Sequence, residues 1–96
     1  MKYTVEYFIR FFRKIPDNKW CVGNYVEGEK MCALGHCGET NVGKTKKSTA
    51  LSNIFIKKLS LTPDQINDGE ETEIMDFEKI STPKKRILAA LEMCDD

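Results

Sequence analysis

Apolar positions recur at helical spacing in three parts of the chain. Val5, Phe8, Ile9 and Phe12 share one face of a helix over residues 3–14, with Thr4 as its cap and Pro16-Asp17-Asn18 as its stop. Tyr3, Tyr7 and Phe11 widen that face, so the helix is either deeply buried or meets a partner along one flank. Leu51, Ile54, Phe55 and Leu59 predict a second amphipathic helix from Ser48 to Leu59. Thr82-Pro83 opens a third, with Ile87, Leu88 and Leu91 inward and Cys94 near its frayed end.

The intervening segments follow other patterns. Residues 20–26 and 30–32 are short β-prone runs separated by Glu27-Gly28-Glu29, which predicts a hairpin that must pack against helices. Ala33-Leu34-Gly35-His36 starts a short helix that Gly35 and Gly38 limit, and residues 39–47 read as a loop. Thr62-Pro63-Asp64-Gln65 carries a cap, a proline at the first helical position and a capping-box Gln, but Asn67-Asp68-Gly69 ends that helix after about one turn. Residues 73–80 are weakly patterned and would form at most a short edge segment. The expected class is α+β, mainly helical, with three to four short helices packed around one small β-hairpin.

Composition narrows the functional choices. The chain has 96 residues, which suits a single small domain over 1–96 with a modest core, too small for most enzymes that close over a nucleotide or sugar. The opening residues carry Glu6, Arg10 and Arg13 and have no uninterrupted apolar core or cleavage site, so an intracellular, cytoplasmic protein with reduced thiols and no membrane association is expected. Fifteen basic and fifteen acidic side chains cancel formally, yet they are segregated. Residues 41–60 hold Lys44, Lys46, Lys47, Lys57 and Lys58 and no acid, whereas residues 61–79 hold seven acids against Lys79. The basic block is a nucleic-acid candidate that ranks below protein binding because acids lie beside it; a solvated surface is the simplest account of both blocks.

Three groups of residues carry candidate chemistry. Gly38-Glu39-Thr40-Asn41-Val42-Gly43-Lys44-Thr45 matches the phosphate-loop pattern, in which Gly38 and Gly43 free the backbone, Lys44 reaches phosphate and Thr45 meets Mg²⁺. That pattern needs a buried strand before it and several βαβ units around it, and Cys32–Cys37 is no such strand. Cys21, Cys32, His36 and Cys37 form a C-x10-C-x3-H-C cluster that would suit tetrahedral Zn²⁺, although it lacks C-x2-C knuckles, and core packing of the thiols is favoured. A Cys–His nucleophile would require His36 to activate Cys21 or Cys32, with Asn41 or Asn67 as orienter. The third group is a partner surface formed by Tyr3, Tyr7 and Phe11 together with Asp68, Glu70, Glu71 and Glu73, whose signature would be an exposed apolar patch beside the acidic segment.

Trp20-Cys21-Val22-Gly23, then a hairpin, then Cys32-Ala33-Leu34-Gly35, with Asn67-Asp68 and a last helix opening at Thr82, resembles a family of small uncharacterised proteins from bacteria and their phages. His36-Cys37-Gly38 departs from it, standing where small or apolar residues continue the middle helix, and no Trp precedes Asn67. The resemblance implies an architecture and a phage or mobile-element setting, hence a host cytoplasm, but no activity. The expected function is therefore that of a small accessory protein that binds a macromolecule without catalysis, modulating a host protein and needing no cofactor. The alternative is a zinc- or phosphate/nucleotide-binding module using the Cys/His segment or the Gly38–Thr45 loop.

Overall fold

The computed structural model describes residues 2–69 and 79–94. In chain order they form α1 (Val5–Arg13), a 3₁₀ turn (Asp17–Lys19), β1 (Val26–Glu27), β2 (Lys30–Met31), α2 (Ala33–His36), α3 (Lys46–Leu59), α4 (Pro63–Asn67) and α5 (Pro83–Cys94). The layout is α+β and mainly helical, with five α-helices and one two-stranded antiparallel hairpin among the described residues. The fifth helix is the short segment that Gly35 and Gly38 limit.

Local sequence sets the helix ends. The Thr4 hydroxyl accepts the Tyr7 amide at 3.1 Å and so caps α1. Thr45 does the same for α3, accepting the Ser48 amide at 3.0 Å while Ser48 Oγ accepts the Thr45 amide at 2.9 Å. Gln65 Oε1 accepts the Thr62 amide at 2.9 Å at the start of α4, and Pro63 occupies the first helical position, where no amide donor is needed. Gly38, at φ +93°, lets the chain turn sharply after α2.

α5 lies at the centre of the fold and packs on α1, α3 and α4. Phe8, Phe12, Leu51, Phe55, Ile66, Ile87 and Leu91 are fully buried between these helices, each worth roughly 1.5–3 kcal/mol of burial. Trp20 joins them, its ring 5.3 Å from Phe12 and 4.8 Å from His36. Cys94 also belongs to this core at 2% exposure, in contrast to the frayed end expected, because one face of the last turn of α5, carrying Leu91 and Cys94, is buried.

The hairpin is shorter than its sequence predicts. Val26 pairs with Met31 and Glu27 with Lys30 around Gly28, and the pairing extends no further. Gly23, at φ +79°, turns the chain within the 20–26 run, so Trp20 and Cys21 return beside Met31, where the Cys21 amide donates to the Met31 carbonyl at 3.2 Å. The expected edge segment over 73–80 lies almost wholly outside the described residues.

A buried polar network joins the hairpin region to the helices. Asn67 Oδ1 accepts the Ala33 amide at 3.0 Å, and Asn67 Nδ2 donates to the Cys21 carbonyl at 2.9 Å and to Asp68 Oδ1 at 3.0 Å. Asp68 Oδ1 also accepts the Gly23 amide at 3.1 Å. From the other side, Arg86 of α5 donates to the Asn67 carbonyl at 3.0 Å and 2.7 Å and to the Ile80 carbonyl at 2.8 Å. Trp20–Gly23, Cys32–Gly35 and Asn67-Asp68, far apart in sequence, are thus tied through one asparagine.

Candidate functional site

The Cys/His segment forms no metal cradle: among the described residues, no group of three or more His, Cys, Asp or Glu side chains is placed to hold a metal ion. Cys21, Cys32 and His36 instead make hydrogen bonds of their own. The Cys21 thiol donates to the Asn24 carbonyl at 3.3 Å, and Cys32 Sγ caps α2 by accepting the Gly35 amide at 3.4 Å. His36 Nε2 lies 2.9 Å from the Lys19 carbonyl, which can only accept, so that nitrogen carries the proton. Cys37 is in the core.

Nor are the thiols arranged as nucleophiles. Burial raises the pKa of Cys21, Cys32 and Cys37, that of Cys37 from its ordinary 9.0 to about 12, whereas an activated cysteine is lowered. Burial likewise lowers His36, which favours the neutral ring. These shifts predict a pH dependence. A thiol whose folded pKa lies above its unfolded value contributes stability that is complete below the unfolded pKa and is lost as pH rises toward the folded one. Above pH 9, Cys37 alone should remove about 1.4 kcal/mol of stability per pH unit. Urea melts at pH 8 and pH 10 should show the loss, and Cys37→Ala should make it shallower.

The phosphate-loop match folds into a different structure. α2, not a strand, precedes it, and most of its amides are already engaged. The Gly38 amide donates to the Gly35 carbonyl and the Glu39 amide to the Leu34 carbonyl, while Thr40 and Gly43 exchange backbone bonds at 3.1 Å and 3.2 Å. The Val42 amide donates to Thr40 Oγ1 and the Thr45 amide to Ser48 Oγ. The Thr45 hydroxyl, which would meet Mg²⁺, donates to the Cys37 carbonyl at 2.7 Å. Gly38, Gly43, Lys44 and Thr45 therefore build a capped turn into α3, in which the Gly38, Gly43 and Thr45 amides and the Thr45 hydroxyl are engaged within the protein.

The aromatic flank of α1 is largely covered. Tyr3, Tyr7 and Phe11 are half-buried against the core, with Tyr7 and Phe11 stacked 6.1 Å apart. Lys47 lies over them, its Nζ 3.2 Å from the Phe11 ring centre. A lysine of the basic block thus covers part of the surface expected to meet a partner. Lys57 and Lys58 stand in the last turn of α3, where they complement the helix dipole, while Lys46 and Lys47 stand in the first, so the block is split between the ends of the helix. Asp68 is held in the Asn67 network; Glu70, Glu71 and Glu73 lie outside the described residues.

A cleft lies between the hairpin, the 38–45 loop, α3 and α4, enclosing a cavity of about 520 Å³. Tyr25 and Val26 wall it from the hairpin, Thr40, Asn41 and Lys44 from the loop, and Ile56 and Pro63 from the helices. Glu39 also lines it and is 3% exposed, and its Oε1 has no hydrogen-bond partner. Hydrogen bonding to Glu39, together with burial and the nearby carboxylates, raises the pKa of the Tyr25 phenol. Leaving a buried carboxyl oxygen without a donor costs roughly 1–3 kcal/mol. Sequence reading passes over Glu39 because it occupies a freely variable position of the phosphate-loop pattern; a lone acid within a basic loop was the available signal.

No protein-family model, curated protein or solved structure matches the chain. No helix among the described residues is long and apolar enough to cross a membrane.

Proposed function

We propose that the protein acts by non-catalytic binding of a macromolecular partner, and that the partner docks over the cleft rather than on the α1 flank. The observation that carries this reading is the location of the exposed apolar side chains. Among the described residues these are Val22, Val26, Val42, Ile56 and Met93. Val26 and Ile56 line the cleft, Val42 projects from its loop wall at 97% exposure, and Val22 immediately precedes the wall residue Gly23. Only Met93, on α5, stands apart from this group. Apolar side chains gathered around a concave site mark an interaction surface, whereas the same residues scattered singly would need no explanation.

The engaged thiols and the neutral, carbonyl-bonded His36 support a binding role over a nucleophilic one. The resemblance of Trp20–Gly23 and Cys32–Gly35 to small bacterial and phage proteins supports a phage or mobile-element accessory protein, with a host protein as partner.

The test is differential capture from cells that express the protein. Immobilised wild-type chain and the Met93→Ser variant should retain the same partner, and a Val26→Ser/Ile56→Ser variant with an unchanged melting curve should lose it. Equal capture by all three would overturn the cleft as the docking site.

A further inference from the structure

We propose that the cleft receives a basic side chain, an arginine or lysine of the partner protein, against Glu39. The inference rests on the docking reading above and adds to it the chemistry of the anchor. Glu39 Oε1 is the one buried side-chain nitrogen or oxygen atom without a hydrogen-bond partner among the described residues. The other buried polar side chains, Ser48, Asn67 and Arg86, all make hydrogen bonds. A native fold satisfies nearly all such atoms, and Glu39 is a lining residue of the cavity, so an outside donor that reaches its carboxyl group meets an oxygen left unpaired by the fold.

The charges lining the cavity determine which donor. Glu39, Asp64 and Asp68 contribute three carboxylates against the single ammonium of Lys44, so the lining favours a cation and disfavours phosphate. The donor set is not placed for a metal ion. An organic cation with directional N–H groups meets the requirement, because a charge-assisted hydrogen bond to a carboxylate is stronger than a neutral one. Leu34, Val26, Ile56 and Pro63 supply apolar wall for the aliphatic stem of such a side chain. A free amine would leave the exposed valines of the rim uncovered, which points to a basic residue presented on a protein surface.

The probes are short peptides carrying one arginine or one lysine between leucines, the same peptide with neutral citrulline, free agmatine, and inorganic phosphate. Backbone ¹⁵N chemical shifts of the full chain report binding. The arginine or lysine peptide should give saturable shifts at Gly23, Tyr25, Thr40 and Asn41, with affinity at least about five-fold above the citrulline peptide and above agmatine. Glu39→Gln should weaken that binding roughly ten-fold, and Asp64→Asn, at an exposed position in the first turn of α4, about two- to three-fold, each variant being compared at an unchanged melting curve. Equal binding of the citrulline peptide, tighter binding of agmatine, saturation by phosphate, or no shift with either basic peptide at millimolar concentration would overturn the proposal. If partner capture depends on Val26 and Ile56 while Glu39→Gln and Asp64→Asn leave it unchanged, the docking reading stands and the basic anchor is lost. If capture is indifferent to all four positions, both are lost.

Discussion

Replacing Gly35 by alanine is expected to destabilise the protein by about 3 kcal/mol, lowering Tm by roughly 10–20 °C. Helix propensity alone predicts the opposite sign, since alanine is better than glycine inside a helix by about 1 kcal/mol. The reversal comes from close packing of α2 under the hairpin. A Cβ on Gly35 would overlap the Tyr25 carbonyl oxygen, and it would stand 3.0 Å from the Tyr25 carbonyl carbon and 3.1 Å from Met31 Cβ. Two of these atoms belong to backbone, so no side-chain rotation relieves the overlap. The Tyr25 carbonyl also accepts the Cys32 amide at 3.3 Å, so moving the hairpin away loosens the start of α2. Gly43→Ala is the control: a Cβ there meets nothing within 4 Å, and its melting curve should be nearly unchanged. If Gly35→Ala melts with wild type, the contact between α2 and the hairpin is not as close as described.

Asn67→Ala is expected to cost about 3–5 kcal/mol, a large fraction of the 5–15 kcal/mol that holds a typical domain folded. The side chain is fully buried and satisfies three groups at once: the Ala33 amide, the Cys21 carbonyl and Asp68 Oδ1. Truncation leaves the first two without their partner under the core, and an unmade buried bond costs more than a made one contributes. Asn67→Asp should not rescue stability. It keeps an acceptor for Ala33 but sets a carboxylate against the Cys21 carbonyl and Asp68. Asp68→Ala, at an exposed position that caps the Gly23 amide, should cost only about 1 kcal/mol. Urea denaturation of the three variants measures the order, and a mild Asn67→Ala with a severe Asp68→Ala would refute the role given to Asn67.

These two sites show how far the chain's elements were legible before its structure. Helix positions came from apolar spacing, and they hold: Phe8 and Phe12 on α1, Leu51, Phe55 and Leu59 on α3, Ile87 and Leu91 on α5 are all buried. The caps Thr4 and Thr62 were legible because capping is decided by residues three apart. The strands were overestimated, since β-prone residues at 20–26 do not reveal that Gly23 reverses the chain before a second pairing can extend. That Lys47 lies over Tyr7 and Phe11 on the aromatic flank of α1 is not legible locally, because the lysine is about forty residues away in sequence.

The candidate chemistry was legible only as residue types. Cysteine, histidine and a glycine-rich loop announce reactive groups, but whether they act depends on where their donors and acceptors point. Here Cys21, Cys32 and His36 are engaged locally, Cys37 is in the core, and most of the loop amides bond within the loop and to its neighbours. Glu39 carried no signal by its position in the pattern.

The amino-acid sequence by itself determined where the helices lie, the caps Thr4 and Thr62 and the α+β, mainly helical class, because these depend on contacts within one or two turns of chain; the Thr45 cap, which starts α3 at Lys46, came from the structure. Only the tertiary structure decided that Asn67 joins three distant segments, that Lys47 lies over Tyr7 and Phe11, and that Val26, Ile56 and the buried Glu39 line one cleft. Each of these is a contact between residues tens of positions apart, and periodicity and local spacing carry no information at that range.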